Sequence, residues 1–194
     1  MTSLRNWVAR LPRLALRFRA DRSGASALEF AIVATPVIFL LLAILEVSLV
    51  FIATFSLENA TAQGARLIRT GQAQAQGFNA GAFQSELCKN LVGPLDCARV
   101  KLDVRHFSNF GGVSGNLPSP LDGKGNLKNS FSYDPGKGGD VVVVRAFYEW
   151  EVTGRMPKGV GLSNLGNGNR LLQATATFRN EPFKTAPQGA GAGS

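Results

Sequence analysis

The chain has 194 residues, with 21 lysines and arginines against 13 acidic residues, one histidine and two cysteines. Its net charge of +8 does not mark a nucleic-acid binder: six arginines in residues 1–24 (Arg5, Arg10, Arg13, Arg17, Arg19, Arg22) against Asp21 carry most of the excess, and no basic stripe with interleaved aromatics follows. One histidine, scattered serines and no clustered carboxylates leave no nucleophile–base pair, so neither an enzyme, a cofactor nor a small-molecule substrate is expected.

Residues 1–24 read as a basic leader. Its arginines either fix orientation from the cytoplasm or line an amphipathic helix on anionic lipid. Asp21-Arg22-Ser23-Gly24 breaks the pattern and brings a small residue to the start of an apolar run. From Phe30 to Phe55 the only charge is Glu46. As a helix this run is about 39 Å long, more than the roughly 30 Å hydrocarbon core of a bilayer, so a membrane span is expected. The rival is an export signal cut near Ala60-Thr61-Ala62, against which the length of the run and Glu46 both argue. The arginine asymmetry places the N-terminus in the cytoplasm and the bulk of the chain outside.

Glu29 stands at the mouth of this span, where an ionised carboxylate is costly. Pro36 cannot donate to the carbonyl of Ile32, so a kink or local melting is expected there. Glu46 falls about 100° round the helix from Glu29 and roughly 25 Å further along. It is either wet at the outer interface or a helix–helix contact. Gly24, the small residues Ala25, Ser26 and Ala27, then Leu28, Glu29 and an apolar helix resemble the class III signal of type IV pilins and pseudopilins. With Pro36, Glu46 and Asn59-Ala60-Thr61-Ala62-Gln63-Gly64-Ala65-Arg66, the stretch 22–70 resembles the TadE-like proteins of tight-adherence (Flp) pilus systems.

The resemblance implies cleavage by a prepilin peptidase between Gly24 and Ala25. It also implies that Glu29 pairs with the terminal amine of a neighbouring subunit, neutralising two charges that lipid disfavours. The alternative for Glu29 is a negative charge that suits the start of a helix dipole. The implied partners are the inner membrane, the peptidase and other pilin-like or pilus assembly subunits.

Leu57, Ala60, Gly64, Leu67, Ile68 and Gly71 recur at helical spacing, so the membrane helix is expected to reach about Thr70. Its small residues admit either a partner's helix or the chain's own outer domain. Gln72 to Gln76 is helix or linker. Ala82 to Leu91 reads as a short helix, Gly93-Pro94 as a turn, and Lys101 to Phe107 as a strand. Cys88 and Cys97 bracket the turn, and in an oxidising compartment this spacing favours a disulfide over two buried thiols. With the lone His106 they are too few for a metal site.

Residues 108–139 are rich in Gly, Ser, Asn and Pro without period, and are expected to form a long loop and partner-facing surface. Val141 to Val152 is the strongest strand, apolar on one face and leaving the core at Glu149 and Glu151. A loop from Gly159 to Asn169 leads to a last strand, Leu171 to Phe178. Arg179-Asn180-Glu181-Pro182-Phe183 resembles the closing segment of TadE-like domains.

The expected fold class is therefore α+β, a long N-terminal transmembrane helix continuing into a small extracytoplasmic domain with a few antiparallel strands. Its parts are a leader 1–24, a transmembrane helix 25–56, a helical extension and linker 57–80, a periplasmic domain 81–185 and a tail 186–194. Two readings stay open: a minor pilin-like assembly component processed by prepilin peptidase, and an uncleaved inner-membrane anchor whose periplasmic domain binds a partner.

Overall fold

The structure, a computed structural model, describes residues 24–152 and 163–183. The expected leader up to Ser23 and the tail from 186 lie outside the described residues. Helix α1, Ala25–Arg69, is 45 residues long. It opens with the Leu28 N–H donating to the Gly24 carbonyl at 3.1 Å. Among the described residues, all the exposed large hydrophobic side chains except Val92 and Phe110 lie between Leu28 and Phe55. A helix apolar on every side over this length is long and apolar enough to cross a membrane. The melting expected at Pro36 does not occur, since the helix runs through it. Next to the proline, the Thr35 hydroxyl donates to the Ala31 carbonyl at 2.6 Å, the same i−4 bond that Thr54, Thr61 and Thr70 make further along the helix.

The described residues from Val47 onward form one compact unit. Its core begins on α1 itself, where Val50, Ala53, Leu57, Ala60, Gly64 and Ile68 are buried at three- and four-residue spacing. Gly71, in the left-handed conformation at φ 76°, ends the helical run, and a Cβ there would meet the Phe183 ring at 2.5 Å. A single turn, α2 (Gln72–Ala75), follows. Helix α3, Ala80–Cys88, starts where Asn79 accepts a hydrogen bond from the Ala82 N–H at 2.8 Å. The apolar spacing alone places this helix about two residues later, because the cap stands ahead of its first apolar residue. Phe83 and Leu87 close on α1 at Gly64, where an added Cβ would meet both side chains at 3.2 Å. The small residues of α1 thus receive the chain's own domain.

Three strands, β1 (Lys101–Phe107), β2 (Val141–Trp150) and β3 (Arg170–Arg179), form an antiparallel sheet in that order with β2 central. The register pairs Val104 with Val144 and Val144 with Ala176. On one face Val104, Val142 and Val144 pack with Ala60, Ile68, Phe83 and Leu87. Further along the same face, Ala146, Tyr148, Leu172 and Ala174 pack with Val50, Ala53 and Leu57. β2 is buried on both faces from Val141 to Tyr148. The second cover is the irregular segment 108–139: Phe131 stacks on Phe147 at 5.1 Å, and the Val104 amide donates to the Ser132 carbonyl at 2.8 Å. Much of this segment's length therefore closes the sheet rather than standing free.

Cys88 and Cys97 form a disulfide, tying the end of α3 to a 3-10 turn at Cys97–Arg99. Gln84 reinforces the tie, its amide donating to the carbonyls of Cys97 at 2.9 Å and Val100 at 3.0 Å. Replacing both cysteines by serine is expected to lower the domain's stability by about 2–3 kcal/mol, mainly through the freer unfolded chain. Urea unfolding of the detergent-solubilised chain, with and without reductant, measures it: reductant should destabilise the parent and leave the double variant unchanged.

Candidate functional site

Of the residues singled out in the sequence, Gly24, Ala25 and Glu29 form one group and the closing segment around Glu181 another. At the N-terminal end of α1, Gly24 is exposed, and a Cβ built on it meets no atom of the described residues within 4 Å. Ala25 and Glu29 are also exposed, four residues apart and so on one side of the helix. The Gly24 carbonyl, which belongs to the Gly24–Ala25 peptide bond, is the first acceptor of the helix. An extended backbone around that bond requires the Leu28 hydrogen bond to open first, and a terminal turn lacking earlier donors opens readily. Glu46, in contrast to Glu29, is buried, with 9% of its surface exposed.

The second place is the far end of the domain, where the closing segment docks. The Glu181 amide donates to the Arg69 carbonyl at 2.9 Å, and the two side chains pair at 3.5 Å while half exposed. Beside them Asn180, 2% exposed, donates to the carbonyls of Pro135 and Lys137, each at 3.0 Å. Glu181 thus marks a latch between the last strand, the end of α1 and the loop before β2. The pair itself is a surface contact worth little, and the buried backbone and amide bonds carry the latch.

An unforeseen charged centre lies under the segment 108–139. Asp103 and Arg145 are buried at 1% and 6% exposure on neighbouring strands. Arg145 donates to Asp103 through Nε at 3.1 Å and through Nη2. Arg105 Nε adds a bond at 3.0 Å and the Ser132 amide one at 3.1 Å. Arg145 Nη1 reaches on to the Pro118 carbonyl at 3.0 Å. Burial by itself pushes the Asp103 carboxyl up, but the hydrogen bonds from Arg145, Arg105 and Ser132 together with the Arg145 charge outweigh it. They hold the carboxyl below its ordinary value. The signal was in the sequence as a lone arginine inside Val-Val-Val-Val-Arg-Ala-Phe and a lone aspartate between Leu102 and Val104. Through Ser132 and Pro118 this network sews the loop to the sheet.

Among the described residues no three His, Cys, Asp or Glu side chains are grouped to hold a metal, and both cysteines are used in the disulfide. His106 faces Asp134 instead, with Nδ1 at 3.1 Å from Oδ2. No curated protein and no solved structure matches the chain. The model of one protein family, described as TadE-like protein, matches residues 24–66. That match runs from the open glycine through the apolar helix to the basic end of α1, so this segment of the chain is TadE-like in sequence.

Proposed function

We propose that the chain is a minor pilin-like, or pseudopilin, component that takes part in assembling a tight-adherence pilus. In this reading α1 anchors it in the inner membrane, the domain lies on the periplasmic side, and a prepilin peptidase removes the leader. The observation that supports it is the unobstructed Gly24 directly ahead of a membrane-length helix, with exposed Glu29 just over one turn inside, in the segment that is TadE-like. Cleavage would free an ammonium on Ala25 beside the bilayer. A neighbour's Glu29 is the group of opposite charge able to neutralise it and set the register between subunits.

The N-terminal sequence and intact mass of the membrane-extracted protein test the first half. A start at Ala25 is expected, and a retained leader means the uncleaved anchor. That second reading draws support from the helical Leu28–Gly24 bond, which holds the peptide in a form a protease must first open. The variant Glu29→Ala tests the assembly half: it should be cut at the parental rate and fail to support pili. Normal piliation by this variant would leave Glu29 with only a dipole role.

A further inference from the structure

On α1 the apolar surface does not stop where the outer domain begins. Phe51, Ile52 and Phe55 are 71%, 51% and 70% exposed, and only at Glu58 does the exposed side of the helix become charged. Yet Val50, Ala53 and Leu57, on the other side of the same turns, are already buried in the domain. Over about 8 Å of helix, lipid-like surface and folded domain therefore share one level.

Besides the sheet, the loop between the two cysteines touches the helix there. It is closed by the Cys88–Cys97 disulfide and pinned by the Val92 amide, which donates to the Ser56 hydroxyl at 2.8 Å. Gly93 lies against Ile52, where a Cβ would sit 3.5 Å from its methyl group. Leu91 and Leu95 turn into the core. Val92 turns outward and is 60% exposed, one of two large exposed hydrophobic side chains outside the helix among the described residues. A loop held by a covalent staple and a hydrogen bond has no need of an apolar side chain in water, and it continues the apolar band of the helix.

We propose that this disulfide-closed loop is a second membrane contact, with Val92 lying in the headgroup–acyl boundary of the leaflet next to the domain. The proposal rests on α1 spanning the bilayer. The overlap of about 8 Å matches the roughly 5–10 Å to which interfacial apolar surfaces sink. Pinning the loop at this depth would also fix the rotation of the domain about the helix relative to the membrane plane.

Tryptophan quenching by phospholipid brominated in its acyl chains tests it, on the full chain reconstituted in vesicles of phosphatidylcholine and phosphatidylglycerol. Three variants, Phe39→Trp, Val92→Trp and Lys137→Trp, are compared with the parent, whose Trp7 and Trp150 are common to all. Pro94→Trp reads the same loop if Val92→Trp fails to keep the disulfide. The expected result is a strong loss of emission for Phe39→Trp, a clear loss for Val92→Trp and none for Lys137→Trp beyond the parent's. If Phe39→Trp is quenched while Val92→Trp behaves as Lys137→Trp, the loop contact is overturned and the span stands. Shielding of Val92→Trp from both lipid and aqueous acrylamide would mean a protein neighbour and overturns it as well. An unquenched Phe39→Trp removes the span and the proposal together.

Discussion

Replacing Gly24 by isoleucine is expected to leave the whole protein population at leader-containing mass, an all-or-none change visible on a gel and in the intact mass of the membrane extract. A peptidase needs the backbone around its scissile bond extended and unencumbered, and a β-branched side chain narrows both conformation and access. The variant is clean because the structure leaves open space at this position, with no atom of the described residues within 4 Å of an added Cβ. Failure to mature would therefore report on access to the bond and not on a misfolded domain. Parental mobility of Gly24→Ile would remove the cleavage proposal.

The second large effect is expected at Asp103. Its replacement by alanine leaves the Arg145 guanidinium, 6% exposed, without its counter-ion, and breaking such a pair from one side costs about 3–5 kcal/mol. That is a large part of the roughly 5–15 kcal/mol that holds a typical domain together. Urea unfolding of the solubilised chain should show a midpoint far below the parent's, or no folded baseline. The paired replacement Asp103→Leu with Arg145→Met should recover most of the loss, because no charge is then stranded.

The same centre sets an acid dependence. The Asp103 carboxyl in the folded chain lies below its ordinary value near 3.8. As pH falls through that value the unfolded chain takes up a proton that the folded chain does not, so stability is present above it and drains away toward the lower folded value. Unfolding midpoints measured from neutral pH down to about pH 3 should fall more steeply for the parent than for the paired variant.

The long apolar helix, the three strands and the cysteine pair were legible because each depends on local pattern. Alternation from Lys101 and the valine run from Val141 describe a pleated surface whatever packs on it, and α1 is apolar over a membrane's length. What could not be read was coverage. A run buried on both faces needs a second lid, and the lid proved to be the aperiodic segment 108–139, whose contacts are single groups such as Phe131, Pro118 and Ser132. Aperiodic chain carries no spacing from which such contacts follow. The Asp103–Arg145 pair was missed because a lone charge within an apolar strand names no partner, and only the register that sets Asp103 opposite Arg145 makes them one centre. At the N-terminal site, Gly24 and Glu29 stand out by residue type and distance from the apolar run, and the structure adds the hydrogen bond that must open before the peptide can be cut.

Because the outer stretch of α1 is also a wall of the domain core, the sliding of that helix along its own axis and the folding of the domain are a single equilibrium. Drawing the helix one turn inward would pull Ala53, Leu57 and Ala60, all fully buried, away from the sheet and α3. Leu57 alone represents about 1.5–3 kcal/mol of lost burial. If α1 spans the membrane as proposed, a bilayer thicker than the span would be resisted by the tertiary packing of the domain and not only by lipid deformation. In the proposed membrane reading the folded domain would be a stopper that sets how deep its own anchor can sit, and machinery lifting the helix out of the membrane would move the domain with it without unfolding it.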